Sequence, residues 1–199
     1  MGKLIWIIGT LLISTLIVIV VTSFSNKGIE TPDYEVLKRY NDVEIRKYPS
    51  MIVAKTSLTN NSVENAGNTG FRTIANYIFG GNENNQKIAM TAPVVMSMGD
   101  TASMYFVMPK QYSKDQLPKP MGSNVSIVEE SSKVLAVIRY SGFSSDSDIK
   151  KHCEILKSEL NANQIKTIGS FMYMGYNAPW DIVNRRNEVA IEVNWLATN

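Results

Sequence analysis

The chain has 199 residues, of which 44% are hydrophobic and 19% charged, a balance typical of one globular domain or two small ones. The formal net charge is only +2 and no cluster of lysine and arginine marks a basic face, which argues against nucleic acid as the main partner. A single cysteine, Cys153, excludes an intrachain disulfide framework and a cysteine-rich metal site.

The chain begins with an apolar segment. Residues 4–21 carry no charge, and their number is close to the lower limit for a helix that spans a bilayer. A cleaved signal peptide and an uncleaved anchor are both open, and the anchor fits the length better. We expect residues 1–26 to be a single-pass membrane anchor and linker, and residues 27–199 to be the folded domain. Basic residues lie on both sides of the run; we expect the domain on the extracytoplasmic side.

Seven further segments have the composition and alternation of strands. In the first half of the domain they cover residues 34–40, 43–48 and 51–58, with Asn41-Asp42 as a turn between the first two. In the second half they cover residues 125–129, 134–140, 171–176 and 189–195. Residues 109–122 contain several prolines and are predicted to be a loop.

Residues 87–95, Lys-Ile-Ala-Met-Thr-Ala-Pro-Val-Val, open a β-rich segment that ends near residue 109. Ile88, Met90 and Ala92 alternate with Ala89 and Thr91, which is the period of a half-buried strand. Pro93 lacks a backbone donor, so a bulge, an edge or a strand break belongs at that position.

Two helices are predicted, one in each half. The first is capped by Asn61 or Ser62, and Gly80-Gly81 end it by supplying left-handed geometry. Its core-facing stripe is Phe71, Ile74, Ala75 and Ile78. Gly67 and Gly70 weaken it by about 1 kcal/mol each relative to alanine, and a glycine there permits close backbone approach. The second helix covers residues 146–160, with Ile149, Cys153, Leu156 and Leu160 on one stripe.

The same order of elements, a strand pair, a helix and two strands, occurs twice. Neither half has a βαβ nucleotide-binding pattern. We therefore expect an α+β domain in which two helices flank an antiparallel sheet, either curled or closed into a distorted barrel, with a pseudo-two-fold internal repeat. One N-terminal apolar helix precedes it. A crevice between the halves, in the interior or at the rim, would be a natural pocket.

Little in the chain points to catalysis. The one histidine, His152, is adjacent to the one cysteine, Cys153, and adjacent helical residues point in different directions, so they do not form a nucleophile–base pair. Together they do not supply a zinc site. We expect a non-enzymatic protein; a hydrolase acting on a hydrophobic ester is the least favoured alternative.

The segment Lys87-Ile88-Ala89-Met90-Thr91-Ala92-Pro93-Val94 resembles the signature of the SOUL family, also called the heme-binding protein family. Other segments fall in the family's order and spacing: residues 34–36, 43–48, 71–80, 106–109, 118–120, 139–143, 176–180 and 186–189. The resemblance runs from about residue 31 to residue 195. It implies a distorted β-barrel flanked by two helices, and tetrapyrrole binding without catalysis.

The resemblance also implies a site, a shallow apolar patch beside the first helix where basic side chains meet the propionates of heme or another porphyrin. On this chain the outward row of that helix is Asn68, Arg72, Asn76 and Phe79. Arg72 is the only basic residue in the row. The positions that carry basic residues in the family align best with Asn68 and Asn76 of this chain.

A histidine proposed as an axial ligand in some members corresponds here to Lys47. Protonated lysine is a poor iron ligand, but Lys47 or Arg46 could reach a propionate. We expect that heme can bind but is not required for folding. We also expect that no side chain of the protein coordinates its iron. His152 is expected to be a surface or packed residue, and five methionines between residues 90 and 108 are expected to be core.

Two questions stay open at this stage. The segment from Tyr176 to Trp180, with Arg186-Asn187-Glu188, is either the rim of a binding patch or a structural corner whose Asn and Arg satisfy loop carbonyls. The whole domain is either a membrane-tethered porphyrin-binding protein, for buffering or transfer, or a protein-interaction or small-molecule sensor domain of the same fold that does not bind heme. No particular protein partner is indicated.

Overall fold

The structure is a computed structural model that describes residues 28–178 and 180–195. The apolar helix and linker predicted for residues 1–26 lie outside this part of the chain. Among the residues that the structure describes, no helix is both long enough and apolar enough to cross a membrane.

Nine strands and two α-helices form the described domain. The strands are β1 (Glu35–Tyr40), β2 (Val43–Tyr48), β3 (Met51–Ser57), β4 (Val94–Ser97), β5 (Ser103–Val107), β6 (Ser126–Glu130), β7 (Lys133–Tyr140), β8 (Thr167–Gly175) and β9 (Asn187–Val193). The helices are α1 (Val63–Ile78) and α2 (Asp146–Ala162), and a short 3-10 turn covers Lys114–Gln116. The α+β class predicted from sequence is confirmed.

All nine strands belong to one sheet, in the order β1-β2-β7-β9-β8-β4-β5-β3-β6, and every neighbouring pair is antiparallel. Among the described residues β1 and β6 do not pair with each other. The sheet is therefore curled and open, which decides between the two forms that the sequence allowed.

Apart from β1 at one edge, the strand order is symmetrical about the line where β4 pairs with β8. From that line outward, β4, β5 and β3 lie on one side and β8, β9 and β7 lie on the other. The next strand on each side comes from the opposite half of the chain, because β6 pairs with β3 and β2 pairs with β7. This is the arrangement that the internal repeat predicts, with one strand exchanged between the halves.

The two faces of the sheet carry separate apolar clusters. On one face, α1 packs on the first half through Ile74 and Ile78 against Phe106. On the same face, α2 packs on the second half through its predicted stripe, Ile149, Cys153, Leu156 and Leu160. The other face is the inner face of the curled sheet, where apolar side chains of both halves form one buried cluster. Its members include Tyr48, Val53, Val95, Tyr105, Val137 and Met174.

The N-termini of the two helices are joined by reciprocal capping. Ser62 caps α1 by accepting from the Asn65 backbone N–H at 3.1 Å, as predicted. Asp146, the first residue of α2, accepts from the Val63 backbone N–H at 2.9 Å. Glu64 accepts in return from the Asp146 backbone N–H at 3.3 Å. Each helix thus places a carboxylate at the positive end of the other's dipole.

The strand predicted over residues 87–92 is wrong. This segment is outside the strand ladders, and β4 begins only at Val94, after a cis Ala92–Pro93 peptide bond. The strand break expected at Pro93 is present. Ile88 donates its backbone N–H to Ile78 O at 2.8 Å, and Ala92 donates to Glu30 O at 2.9 Å. The alternating pattern therefore reflects an extended connection that is held by partners outside the sheet.

Candidate functional site

The outward row predicted on α1 is present. Asn68, Arg72, Asn76 and Phe79 are all exposed, while Ile74, Ala75 and Ile78 on the opposite side are buried. Phe79, the C-cap residue, keeps 59% of its surface accessible. The row follows from helical spacing, since residues three and four apart share one face.

Arg72 is the only basic residue of α1. It is exposed, and among the described residues it makes no hydrogen bond, ion pair or ring contact. A guanidinium with these properties is free to pair with a carboxylate from outside the protein. The face therefore offers one uncommitted cation and, about two turns further along, an exposed aromatic ring.

The C-terminal end of α1 is bounded by a second loop. The Tyr77 hydroxyl donates to Pro118 O at 2.9 Å, and burial raises the pKa of Tyr77 to about 12. Pro120 pairs with Asn82 just after the helix. This loop brings Lys119 and Met121, both exposed, close to the turn that follows Phe79. Sequence reasoning missed them because the contact joins segments far apart in the chain.

Lys47 does not share the α1 face. It is exposed on β2, where its Cα is paired with those of Glu35 on β1 and Val134 on β7. The helix α1 packs instead on the strands of the first half, β3, β4 and β5. The structure thus groups four of the five predicted residues and leaves Lys47 on another element.

Arg46 is not available to a ligand, which corrects the suggestion that it could reach a propionate. It is buried on β2 and donates to Glu188 Oε2 at 3.0 Å and to Glu44 Oε2 at 2.7 Å. Burial alone would lower the pKa of Arg46, but the Glu188 carboxylate, Tyr48 and Glu44 together outweigh burial and raise it. Its charge is fully used inside the protein.

Glu188 is the centre of this buried cluster. Its other oxygen accepts from Arg186 Nη2 at 2.8 Å, and Tyr176 donates to Glu188 Oε2 at 2.7 Å. Burial, followed by the nearby Glu188 charge, raises the pKa of Tyr176. Arg186 therefore pairs with a carboxylate and not with loop carbonyls. Of the segment that sequence left open as rim or corner, Tyr176 and Arg186 with Glu188 form a structural corner, whereas Trp180 is exposed.

Asn177 and Asn187 satisfy backbone groups of neighbouring loops, as the corner interpretation requires. Asn177 Oδ1 accepts from the Arg186 backbone N–H at 2.7 Å. Asn187 accepts from the Tyr173 hydroxyl and donates to Gly142 O, both at 2.8 Å. These bonds fix the start of β9 against the end of β8.

The crevice predicted between the halves is largely filled. The interior space lined by Tyr48, Val95 and Leu135 amounts to only about 20 Å³. At the rim, a crevice of about 170 Å³ lies beside Lys55 and Glu130. A larger cleft, of about 340 Å³, lies between residues 30–33 and the strands β3 and β5. None of these three clefts among the described residues is lined by the α1 row.

The four residues of the α1 row include no side chain that commonly coordinates heme iron. His152 is half-buried on α2, stacked on Tyr140 at 3.8 Å between ring centroids, with Nδ1 2.7 Å from Asp148 O. The prediction that it is a surface or packed residue is confirmed. Met96, Met104 and Met108 are core, as predicted, and Met90 and Met98 are half-buried. No group of three or more potential metal ligands occurs in the described ranges.

Residues 29–192 match the family described as SOUL heme-binding protein. The chain is 30% identical to heme-binding protein 2 of Homo sapiens over 179 residues, covering 82% of this chain and 85% of that protein. It is 26% identical to heme-binding protein 1 of Xenopus laevis over 154 residues, covering 73% and 80%. The chain belongs to the SOUL heme-binding protein family.

Two solved structures share the fold at low identity. The EcmrR C-terminal domain aligns with a TM-score of 0.61 at 10% identity, covering 82% of this chain and 99% of that one. A hydrolase from Listeria innocua aligns with a TM-score of 0.54 at 10% identity, covering 79% and 94%. At these identities the likeness concerns the fold alone.

Proposed function

We propose that this protein binds heme or a related porphyrin, without catalysis, on the exposed face of α1. Family membership and two relatives named heme-binding proteins support the ligand class. The observation that carries the proposal to this face is Arg72, an exposed cation that no described residue neutralises.

Two kinds of interaction on this face would contribute to binding, apolar contact with the macrocycle and ion pairing with its propionates. Phe79 offers an exposed ring to the macrocycle, and burying apolar surface contributes about 25 cal/mol per Å². Arg72 would pair with a propionate and so orient the ring. Asn68 and Asn76 contribute hydrogen-bonding amides. Bound heme supplies an iron centre, but the α1 row has no histidine, methionine or cysteine to coordinate it.

The setting of the proposed function is a membrane. Residues 4–21 are apolar and without charge, and as an uncleaved single-pass anchor they would tether the domain, on the extracytoplasmic side, to a bilayer. A protein with one weak porphyrin site at a membrane would buffer the porphyrin or transfer it. His152 stacks on Tyr140 and Cys153 is buried, and this environment favours a binding protein over an enzyme.

A hemin titration of the full chain in detergent micelles tests the proposal. We expect a shift of the Soret absorbance on binding at micromolar hemin, and a clearly weaker binding curve for Arg72→Ala. Lys150→Ala is the matched control, because Lys150 is an exposed cation on the other helix, α2. Lys47→Ala reports whether β2 contributes. Equal binding by all variants would contradict the α1 site, and no Soret shift would contradict porphyrin binding altogether.

The rival function is a sensor or interaction domain that does not bind heme. The specific observation in its favour is that the largest of the three clefts described lies away from α1, beside Met51 and Tyr112. A screen of small organic ligands by thermal shift distinguishes the two. Stabilisation by such a ligand that Met51→Ala abolishes, without any response to hemin, would favour this rival.

A further inference from the structure

Two loops expose a group of large apolar side chains. Phe143 lies in the loop between β7 and α2, and Trp180, Ile182 and Val183 lie in the loop between β8 and β9. Their accessible fractions are 64%, 69%, 49% and 49%. We call these four residues the apolar tip. Exposed apolar groups of this size that cluster together mark a surface that contacts a partner or a membrane.

The two loops are held together as one surface. The Asn187 side chain, at the start of β9, donates to Gly142 O at 2.8 Å. The Arg185 guanidinium lies over the Phe143 ring, 4.6 Å from its centroid, and donates to Ala178 O at 3.1 Å. Phe143 is therefore fixed against the loop that carries the other three members of the apolar tip.

The first described residues of the chain lie close to this surface. Glu30 is bridged to Thr91, and the Ala92 backbone N–H donates to Glu30 O at 2.9 Å. Soon after these residues, Val94 pairs with Gly175, the last residue of β8. The loop of the apolar tip begins immediately after Gly175. The described chain therefore begins, at residue 28, near the end of the sheet from which this loop extends.

We propose that the apolar tip contacts the lipid bilayer in which the N-terminal segment is anchored. The inference rests on the anchor in the proposed function and is independent of porphyrin binding. The charge-free run of residues 4–21 and its linker are short, so the domain stays near the bilayer. Tryptophan and aliphatic side chains at such a position partition into the interface between water and lipid.

The charges near the apolar tip favour a neutral lipid surface. Arg185 is bonded to loop carbonyls, and Arg186 is paired with the buried Glu188. The Arg186 charge is thus neutralised inside the protein, and the Arg185 guanidinium is held by two loop carbonyls and the Phe143 ring. The contact should therefore form on phosphatidylcholine, and it should depend little on salt.

The test uses the full chain with Trp6→Phe and Trp195→Phe, so that Trp180 is the only tryptophan. The protein is reconstituted into phosphatidylcholine vesicles with brominated acyl chains. We expect a loss of about half of the Trp180 fluorescence relative to unbrominated vesicles, since interfacial side chains reach the acyl boundary. We also expect protection of Trp180 from aqueous iodide.

The matched control keeps Trp195 instead, with Trp6→Phe and Trp180→Phe. Trp195 follows Val193 at the opposite end of β9 and contacts Tyr40, so bromine should not quench it. The double substitution Ile182→Ser with Val183→Ser should reduce quenching of Trp180 while the far-ultraviolet circular dichroism stays unchanged, because both side chains are exposed.

The outcomes separate the apolar tip from the anchor. A chain that sediments with vesicles while Trp180 remains open to iodide overturns the tip contact and leaves the anchor intact. A chain that does not sediment overturns both. Protection from iodide without quenching by bromine would reveal a protein–protein contact, and it would overturn the lipid contact as well.

Discussion

Arg46 on β2 and Glu188 on β9 form an ion pair across the intervening strand β7, with 3.0 Å between Nη1 and Oε2. Both side chains are almost completely buried. Arg186 and Tyr176 complete the partners of the carboxylate. The pair therefore joins a strand of the first half to the second half at the point where strands are exchanged.

Removing the Glu188 charge should destabilise the domain strongly. Glu188→Gln leaves the buried guanidinium of Arg46 and the half-buried one of Arg186 facing a neutral amide, and breaking a buried pair costs about 3–5 kcal/mol. The measurement is the urea concentration at half unfolding. Arg39→Ala is the control, because Arg39 pairs with Glu44 at the surface and exposed pairs contribute about 0–1 kcal/mol. Similar midpoints for the two variants would contradict the assigned role of Glu188.

Acid should remove part of the stability through Glu130. Burial opposes ionisation of Glu130, but Lys133 and Lys55 outweigh it and lower the pKa of this carboxyl. Because the carboxyl has a lower pKa in the folded state than in the unfolded state, where it is about 4.3, its ionised form stabilises the fold above that pH. This stabilisation is lost as the pH falls through the pKa of the folded state. Glu130→Gln should thus be less stable than the parent chain at pH 7, and this difference in the free energy of unfolding should be smaller at pH 3. A gap of the same size at both pH values would refute this.

The two glycines of α1 should respond oppositely to alanine. A Cβ at Gly67 would meet Val63 Cγ1 at an ordinary 3.5 Å, so Gly67→Ala should gain up to about 1 kcal/mol in helix propensity. A Cβ at Gly70 would lie 2.5 Å from Leu58 Cδ2 and 3.2 Å from Met104 Sδ. Gly70→Ala should therefore be at least about 1 kcal/mol less stable than Gly67→Ala. Thermal unfolding of the two variants measures the difference, and equal stabilities would count against the close packing at Gly70.

The Cys153 thiol should be inert in the folded protein. Burial, and secondarily the nearby Glu154 charge, raises the pKa of Cys153 to about 11, so little thiolate exists at pH 8. A thiol reagent such as dithionitrobenzoate should react slowly with the native chain and fully in urea. Since the chain has one cysteine, the released colour reports this residue alone. Fast labelling without denaturant would show that the α2 face is open.

Adding a base to the α1 row should strengthen porphyrin binding. Asn68 lies one turn before Arg72 on the exposed face, and a lysine there places a second cation within reach of propionates. Asn68→Lys should lower the hemin dissociation constant several-fold, about 1 kcal/mol, with a steeper dependence on salt. Asn161→Lys, at the exposed end of α2, is the control. An equal gain from both variants would indicate non-specific attraction.

Sequence predicted those parts of the fold that local periodicity determines. The stripe of Ile149, Leu156 and Leu160 is buried as the helical spacing required, and Ser62 caps α1. The segment at Thr91 was assigned to a strand because alternation does not distinguish a ladder from an isolated extended connection. Its hydroxyl donates to Val107 O at 2.6 Å, a partner that no local pattern reveals.

The candidate site likewise has features that follow from local spacing and features that depend on long-range contacts. The row from Asn68 to Phe79 lies on one helix, so spacing alone brings it together. Arg46 was taken for a free cation because its partner Glu188 is 142 positions away. The crevice between the halves was expected to be open, and the side chains that fill it come from strands distant in sequence. The exposure of Trp180, and the contact of Arg185 with Phe143 that joins the two loops, likewise come from tertiary structure that no local pattern reveals.

The exchange of β2 and β6 makes each half of the domain depend on a strand from the other half. Each donates an outer strand to the other's portion of the sheet, so neither amino- nor carboxyl-terminal half is a complete folding unit. Proteolytic nicking in the connection between β5 and β6 would yield fragments that co-purify until denatured. A split version of this domain, with a reporter on each piece, would therefore reassemble only when both pieces are made together.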